Sequence, residues 1–257
     1  MNLKASMLGF GVGFLVGLTG MGGGAVMTPA LILLGWSRPI VAVGTDLAWA
    51  AITRTVGAWV YYRQRTVDFT IVRRLALGSV PGALAGVTAL AYVHRIRGAA
   101  VVDRLVLRML GIVLICVSVM LLVRSLRRQR ARFAPDVLNS GRQALLTTIL
   151  GAVLGALVGM TAVGSGSLIV ACLMVLYPKL SLSRIVGSDI FHALFLLSVA
   201  ALGHLGLGSI DLALLIGLSI GSIPGVWLGS HLSAILPEKV SRPVLATTLV
   251  FLGYKLL

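Results

Sequence analysis

The stretch GLTGMGGGAVMTPALILLG runs from Gly17 to Gly35 and sets five glycines among the eight residues Gly17–Gly24, with apolar sequence on both sides. Each glycine inside a helix costs roughly 1 kcal/mol relative to alanine. A chain that needed only an apolar helix would not concentrate them here. A helix broken at this point leaves backbone N–H and C=O groups free. Lipid cannot satisfy them, so the break must be buried in protein or line a wet cavity.

The surrounding chain makes that constraint relevant. Of its 257 residues, 58% are hydrophobic and 11% charged, with a mean hydropathy of +1.03. Soluble domains are closer to a quarter charged. Apolar segments long enough to cross a bilayer recur at Leu3–Gly35 (interrupted), Ile40–Tyr62, Ile71–Tyr92, Leu105–Val123, Ala144–Tyr177 (interrupted), Ile185–Leu207, Leu212–Leu232 and Val244–Leu257. They are continuous runs without period-two alternation, which points to a helical bundle and not a β-barrel. The expected fold is all-α, a polytopic membrane helical bundle. The formal net charge of +15 does not point to nucleic acid, because the arginines crowd into short loops such as YYRQRTVDFTIVRR and RSLRRQRARFAPD. That placement follows the positive-inside rule. Cys116 and Cys172 lie inside apolar segments, with no disulfide framework or metal-ligand spacing.

The glycine break occurs twice. GLTGMGGGA (Gly17–Ala25) aligns with GMTAVGSGS (Gly159–Ser167), 142 positions on. VGTDL (Val43–Leu47) aligns with VGSDI (Val186–Ile190), and VDFTIVRRLALGSVPGALAG (Val67–Gly86) with IDLALLIGLSIGSIPGVWLG (Ile210–Gly229), both 143 positions on. Three matches in one order at a near-constant offset describe a duplication. The expected organisation is repeat one (1–123), a basic cytoplasmic linker (124–143) and repeat two (144–257). Each repeat has a glycine-broken first segment and three further helices. The N-terminal segment could pass for a signal peptide, but its copy lies mid-chain, which marks it as structural. Paired interrupted segments in the two halves of a membrane protein point to a transport site near the bilayer midplane. The N-terminus of each second half-helix aims free N–H groups and a positive dipole end at a ligand there.

GLTGMGGG followed by a proline, then AVGTD, then GSVPGALAG, all met again in the second half, resembles the sulfite exporter TauE/SafE family over nearly the whole chain. The resemblance implies an inner-membrane, multi-pass carrier or exporter of sulfite, organosulfonates and related small anions, needing no cofactor. Two departures make the halves unequal. The second glycine motif is reduced to AVGSGS, and Pro29 has no counterpart, Cys172 standing at the aligned position.

Individual residues then sort by chemistry. Substrate-binding candidates are Thr19, Gly22, Gly23, Gly24 and Thr45 in the first half and Gly164, Ser165, Gly166 and Ser188 in the second, together with Arg54. Arg54 is the one basic residue deep inside an apolar segment, and its guanidinium suits bidentate capture of an oxyanion. Its alternative is a structural ion pair with Asp46 or Asp189, and its repeat partner is Leu197, so any ligand role is one-sided. Asp46, Asp189 and His192 are the proton-coupling candidates, because ionisable groups at membrane depth are costly and mark functional sites. The same residues also read as interfacial or hydrogen-bonded core groups. Asp68 and Asp211 open the third segment of each half as N-caps. Gly78, Gly82, Gly86 and Gly221, Gly225, Gly229 form small-residue ridges beside Pro81 and Pro224. A dinucleotide fingerprint is excluded for Gly20-Met21-Gly22, which follows an apolar helix and not a strand. No catalytic constellation is recognisable, so the expected function is transport of small anions, with a channel or carrier for a cation or neutral metabolite as the alternative.

Topology depends on the broken segment. Ala5–Thr19 and Gly24–Gly35 make about 22 and 18 Å of helix, each only part of the roughly 30 Å core. A re-entrant hairpin would give three crossings per half and inverted repeats. A single broken spanning helix would give four crossings and parallel repeats. With the linker in the cytoplasm, hairpins place more of the lysines and arginines on its side than spanning helices do.

Overall fold

The computed structural model describes residues 3–19, 24–126, 140–233 and 252–256. Among these residues the chain is helical, without strands. The helices are α1 (Leu3–Thr19), α2 (Gly24–Leu33), α3 (Pro39–Arg63), α4 (Phe69–Arg97), α5 (Ala99–Leu126), α6 (Ser140–Thr161), α7 (Ser167–Leu176), α8 (Leu182–Gly206) and α9 (Leu212–Ser233). A further helical stretch covers 252–256. Gly20–Gly23 and the linker residues 127–139 lie outside the described residues, as does most of the last apolar segment.

Local chemistry sets the helix ends. Pro39 opens α3, where its missing N–H has no intrahelical partner to lose. The Asp68 carboxylate caps α4 by accepting from the Thr70 and Ile71 N–H groups, and Asp211 Oδ1 accepts from Leu214 N–H at the start of α9. The Ser181 hydroxyl caps α8. Each cap satisfies donors that a helix start leaves free.

Small residues set the packing. A Cβ on Gly82 would overlap the Ala152 carbonyl oxygen, so α4 and α6 touch backbone to backbone. Gly78 lies at Thr148, Gly82 at Ala152 and Gly86 at Ala156. The contact advances in the same sense along both helices, so α4 and α6 run parallel. Gly221 lies at Ser6, Gly225 at Phe10 and Gly229 at Phe14, and α1 and α9 run parallel in the same way. The third contact is antiparallel: Gly44 of α3 meets His204 of α8, Gly57 meets Ile190, and Tyr61 meets Gly187. Cross-bonds from Thr45 to Asp211 and from Trp49 to Ser222 advance together, so α9 follows the direction of α3. Bonds from Ser188 to Asp68 and from His192 to Ser79 make α4 follow α8. Thus α1, α3 and α9 run one way, and α4, α6 and α8 the other.

The centre is apolar and filled, with Trp49, Met27, Leu31, Leu47, Leu90 and Leu196 fully buried. Among the described residues, four helices are long and apolar enough to cross a membrane: Phe69–Arg97, Gly141–Thr161, Leu182–Gly206 and Leu212–Gly229. Their outward faces expose Leu77, Ile149, Phe195, Leu202, Ile216, Ile223 and Trp227. A surface of that kind is covered by lipid. At the C-terminal end of α3, Trp59, Tyr62, Phe69, Phe191 and Phe195 form a connected aromatic cluster with the Arg63 guanidinium 4.8 Å above the Trp59 ring. Amphipathic rings beside a cation are typical of the bilayer–water boundary. At the other end of α3, Arg38 pairs with Asp103 at 2.7 Å.

Candidate functional site

The antiparallel pair α3 and α8 carries the ionisable groups. Asp46, Arg54, Asp189 and His192 are all buried, with relative exposures of 0%, 9%, 1% and 0%. Asp46 sits near the start of α3 and Asp189 near the start of α8. Because the two helices run in opposite directions, the two carboxylates are separated along the bundle axis by about 20 Å, the rise of some thirteen residues. The structure therefore does not bring Asp46 and Asp189 into one pocket. Arg54 lies between their levels, and it attracts Asp189 electrostatically.

Each carboxylate has its own surroundings. Asp46 Oδ2 accepts from the Thr28 N–H at 3.2 Å and from the Thr28 hydroxyl, which ties α3 to the start of α2. Asp189 has no counterpart of that bond: its Oδ1 lacks a hydrogen-bond partner among the described residues, and Arg54 acts on it electrostatically. Seven buried side-chain polar atoms lack a hydrogen-bond partner among the described residues, and four of them are Asp46 Oδ1, Arg54 Nη2, Asp189 Oδ1 and His192 Nδ1. Orphaned polar atoms are rare in protein interiors, and each one asks for an explanation. His192 Nε2 shares a 2.6 Å hydrogen bond with Ser79 Oγ on α4. At the matching place in the other half, Trp49 Nε1–H donates to Ser222 Oγ at 2.9 Å.

The two breaks lie against each other. A Cβ on Gly24, the first residue of α2, would overlap the Ala162 carbonyl oxygen at the end of α6 and come within 3.4 Å of Asp46 Oδ2. The second break is built from backbone that few residues adopt. Gly164 and Gly166 have φ of +117° and +104°, and Gly166 caps α7 without a side-chain hydrogen bond. Such angles need glycine, whose missing Cβ removes the clash. The Thr161 hydroxyl closes α6 by donating to the Leu157 carbonyl at 2.7 Å and accepting from Val163 N–H. Ser165 is half-buried between the two glycines. Gly22 and Gly23 lie outside the described residues. Thr19 ends α1, and its side chain also lies outside the description.

Thr45 and Ser188 occupy corresponding places and do corresponding things. Thr45 Oγ1 accepts from Asp211 N–H at 3.0 Å. Ser188 Oγ accepts from Asp68 N–H at 2.8 Å and donates to the Arg184 carbonyl. Their hydroxyls hold the starts of α9 and α4. Thr28, Ser79, Trp49 and His204 escaped the sequence reading. Ser79 carried a signal, since the GSVPG and GSIPG motifs set a serine at the same place in both halves. His204 joins α8 to α6, with Nε2 2.8 Å from the Gly159 carbonyl and Nδ1 2.9 Å from Ser209 Oγ. Nothing in its sequence surroundings announced those partners.

Two cavities open at opposite ends of the bundle. One, of about 310 Å³, is lined by Asp68, Arg74, Gln143, Tyr177 and Lys179. Its floor is a chain of hydrogen bonds from Arg74 Nη1 to the Tyr177 hydroxyl at 3.1 Å and from there to Thr147 Oγ1 at 2.9 Å. The other, of about 380 Å³, is lined by Lys4, Trp36, Asp211 and Leu214.

The sulfite exporter TauE/SafE family model matches residues 5–256. The probable membrane transporter protein YjnA of Bacillus subtilis is 37% identical over 262 residues, covering all of both chains. Two further Bacillus subtilis proteins, the probable membrane transporter proteins YdhB and YunE, are 26% and 24% identical over 96% and 98% of this chain, and over 97% and 95% of their own lengths. No solved structure matches. The chain belongs to the TauE/SafE family. It is a membrane transporter and not an enzyme.

Proposed function

We propose that this member of the TauE/SafE family carries small anions of the sulfite or organosulfonate class across the inner cell membrane, as a proton-coupled exporter. The observation that carries the reading is the buried Arg54, whose Nη2 has no partner, facing Asp189 across the antiparallel helix pair. A guanidinium at that depth is costly unless it serves a ligand or a counter-charge. Its planar fork fits two oxygens of a sulfonate or sulfite. The N-terminus of α7, capped only by Gly166, adds backbone donors from the second break, and the start of α2 at Gly24 does the same from the first. His192, three residues from Asp189 and one helical turn away, passes the proton. Thr45 and Ser188 hold the frame through Asp211 and Asp68. The basic lining of the cavity at Arg74 and Lys179 draws anions to that face.

The helix directions favour inverted repeats. Contacts 142 or 143 positions apart recur in pairs: Gly82 with Ala152 and Gly225 with Phe10, Gly44 with His204 and Gly187 with Tyr61. The corresponding helices α3 and α8 are antiparallel, which an axis lying in the membrane plane produces. Since α1 and α3 run the same way, the chain between them must return, as a re-entrant hairpin does. Single cysteines at Lys4 and Arg65, in a chain lacking Cys116 and Cys172, test this. The hairpin exposes Lys4→Cys to reagent outside the cell and Arg65→Cys to reagent inside. Labelling of both from the cytoplasm would defeat it.

The function is tested by flux into proteoliposomes under a pH gradient, comparing sulfite, sulfate, taurine, methanesulfonate and acetate. The expected result is movement of sulfite or a sulfonate in preference to acetate. Transport of a cation or neutral solute with no anion moved would overturn the reading.

A further inference from the structure

Resting on the reading above, we propose that Asp189 is a built-in stand-in for the transported anion: the ligand takes its place beside Arg54 only as Asp189 takes up one proton. The argument starts from charge. Arg54 and Asp189 are both buried on the antiparallel pair that brings Gly57 against Ile190, Arg54 Nη2 and Asp189 Oδ1 have no hydrogen-bond partner among the described residues, and the two groups attract one another. Buried in this way, each charge needs a counter-charge. An anion arriving at Arg54 while Asp189 is ionised would set two negative charges beside one positive one, in a medium where such repulsion is little screened. One proton on Asp189 removes the surplus. The carboxyl becomes neutral, and the guanidinium is left to the ligand. The exchange conserves charge: one monoanion and one proton enter together and leave together.

The surroundings identify Asp189 as the acceptor. From α3 the groups facing this region are Arg54 and Tyr61, which lies against Gly187. From α8 itself there is His192, whose Nδ1 is buried and unpartnered. From α4 comes Ser79, bonded to His192. At the membrane face Asp68 stands 4.0 Å from Arg184. Among the described residues α7 carries no charged side chain, its titratable group being Cys172, and α6 carries only Arg142, near its start. Asp46 cannot substitute. It is held by Thr28 at the far level of the bundle, and Leu197 stands where a second arginine would be needed. Among the described residues there is therefore one such site.

Proton uptake reads the exchange directly. Purified wild-type protein in weakly buffered detergent, with a pH dye, is mixed with sodium methanesulfonate, an anion that stays singly charged throughout the range. Uptake of one proton per anion bound is expected on the alkaline side of the point at which Asp189 loses its proton, where the measurement is made. By linkage, the Kd should rise tenfold for each pH unit above the point at which Asp189 loses its proton. Asp189→Asn, nearly the same size, should bind methanesulfonate with a Kd that does not change with pH, and should take up no proton. Asp189→Ser provides a second neutral variant if the first does not fold. Binding by wild type without proton uptake, or an unchanged pH slope in either neutral variant, overturns the proposal while the anion-site reading stands. If neither methanesulfonate nor sulfite binds wild type between pH 5 and 8, both fall.

Discussion

The two halves of this molecule share a frame and differ in chemistry. Thr45 holds Asp211 as Ser188 holds Asp68, and the Thr66 hydroxyl donates to the Tyr61 carbonyl as Ser209 does to that of His204. The glycine ridge of α9 meets α1 as the ridge of α4 meets α6. Within that frame the polar groups diverge. Trp49 donates to Ser222 where His192 meets Ser79. Asp46 is fastened by Thr28 where Asp189 faces Arg54. An indole N–H can only donate, whereas imidazole can donate, accept or carry a proton. Under the proposed function, the side with Trp49 stays fixed and the side with His192 changes its charge. The lesson is that the packing contacts are alike on both sides, while the polar groups beside them differ.

Four tests, in falling order of effect, break or sharpen that contrast. The ridges should respond alike. Gly82→Leu and Gly225→Leu each drive a side chain into a backbone carbonyl, at Ala152 and Phe10, with no flexible neighbour to yield. Both should abolish monodisperse protein on gel filtration, and the milder Gly82→Ala should cost about 1–3 kcal/mol in thermal unfolding. If only one of the two leucine variants misfolds, the frame is less even than the contacts suggest.

Arg54 and Leu197 occupy corresponding positions and should respond differently. Arg54→Leu should weaken anion binding by more than about a hundredfold, since a hydrogen bond to a charged group contributes some 1.5–3 kcal/mol and Arg54 can make two. Arg54→Lys should lose about tenfold, a point charge replacing the planar fork. Leu197→Met, nearly volume-conserving, should leave binding unchanged. Equal affinity in all four proteins, read by calorimetry with sulfite, would make Arg54 structural.

Asp46→Asn tests the fastened carboxylate. It weakens the acceptor for the Thr28 N–H and hydroxyl, and should lower stability by about 1–3 kcal/mol. Flux per folded molecule should keep its pH dependence, in contrast to Asp189→Asn. A lost pH dependence in Asp46→Asn would assign proton coupling to both halves. The smallest effect should come from Trp49→Phe, which removes the donor to Ser222 and should cost about 1 kcal/mol of stability with the pH profile of flux intact.

Much of the architecture was legible in the chain because its causes are local. Hydropathy adds up along a segment, so apolar runs declare membrane helices wherever they pack. Asp68 and Asp211 announce their caps because a capping carboxylate bonds N–H groups two and three residues away. The candidate site was legible only as a roster of costly groups, Asp46, Arg54, Asp189 and His192, without their pairing. Arg54 had two possible carboxylates in sequence terms, and the spacing of Asp46 and Asp189 carried no information about which would be nearer.

By itself, then, the sequence determined that the chain lies in a membrane, that its motifs recur 142 or 143 residues on, and which ionisable side chains sit at membrane depth. Composition and offset are properties of the chain alone, and no packing alters them. Only the tertiary structure decided that α3 and α8 run antiparallel. From that single direction it follows that Asp46 and Asp189 stand about 20 Å apart, with Arg54 at a level between them and acting electrostatically on the second. Interhelical direction and register depend on which small-residue faces fit together at close range, and such a fit exists only once the helices meet.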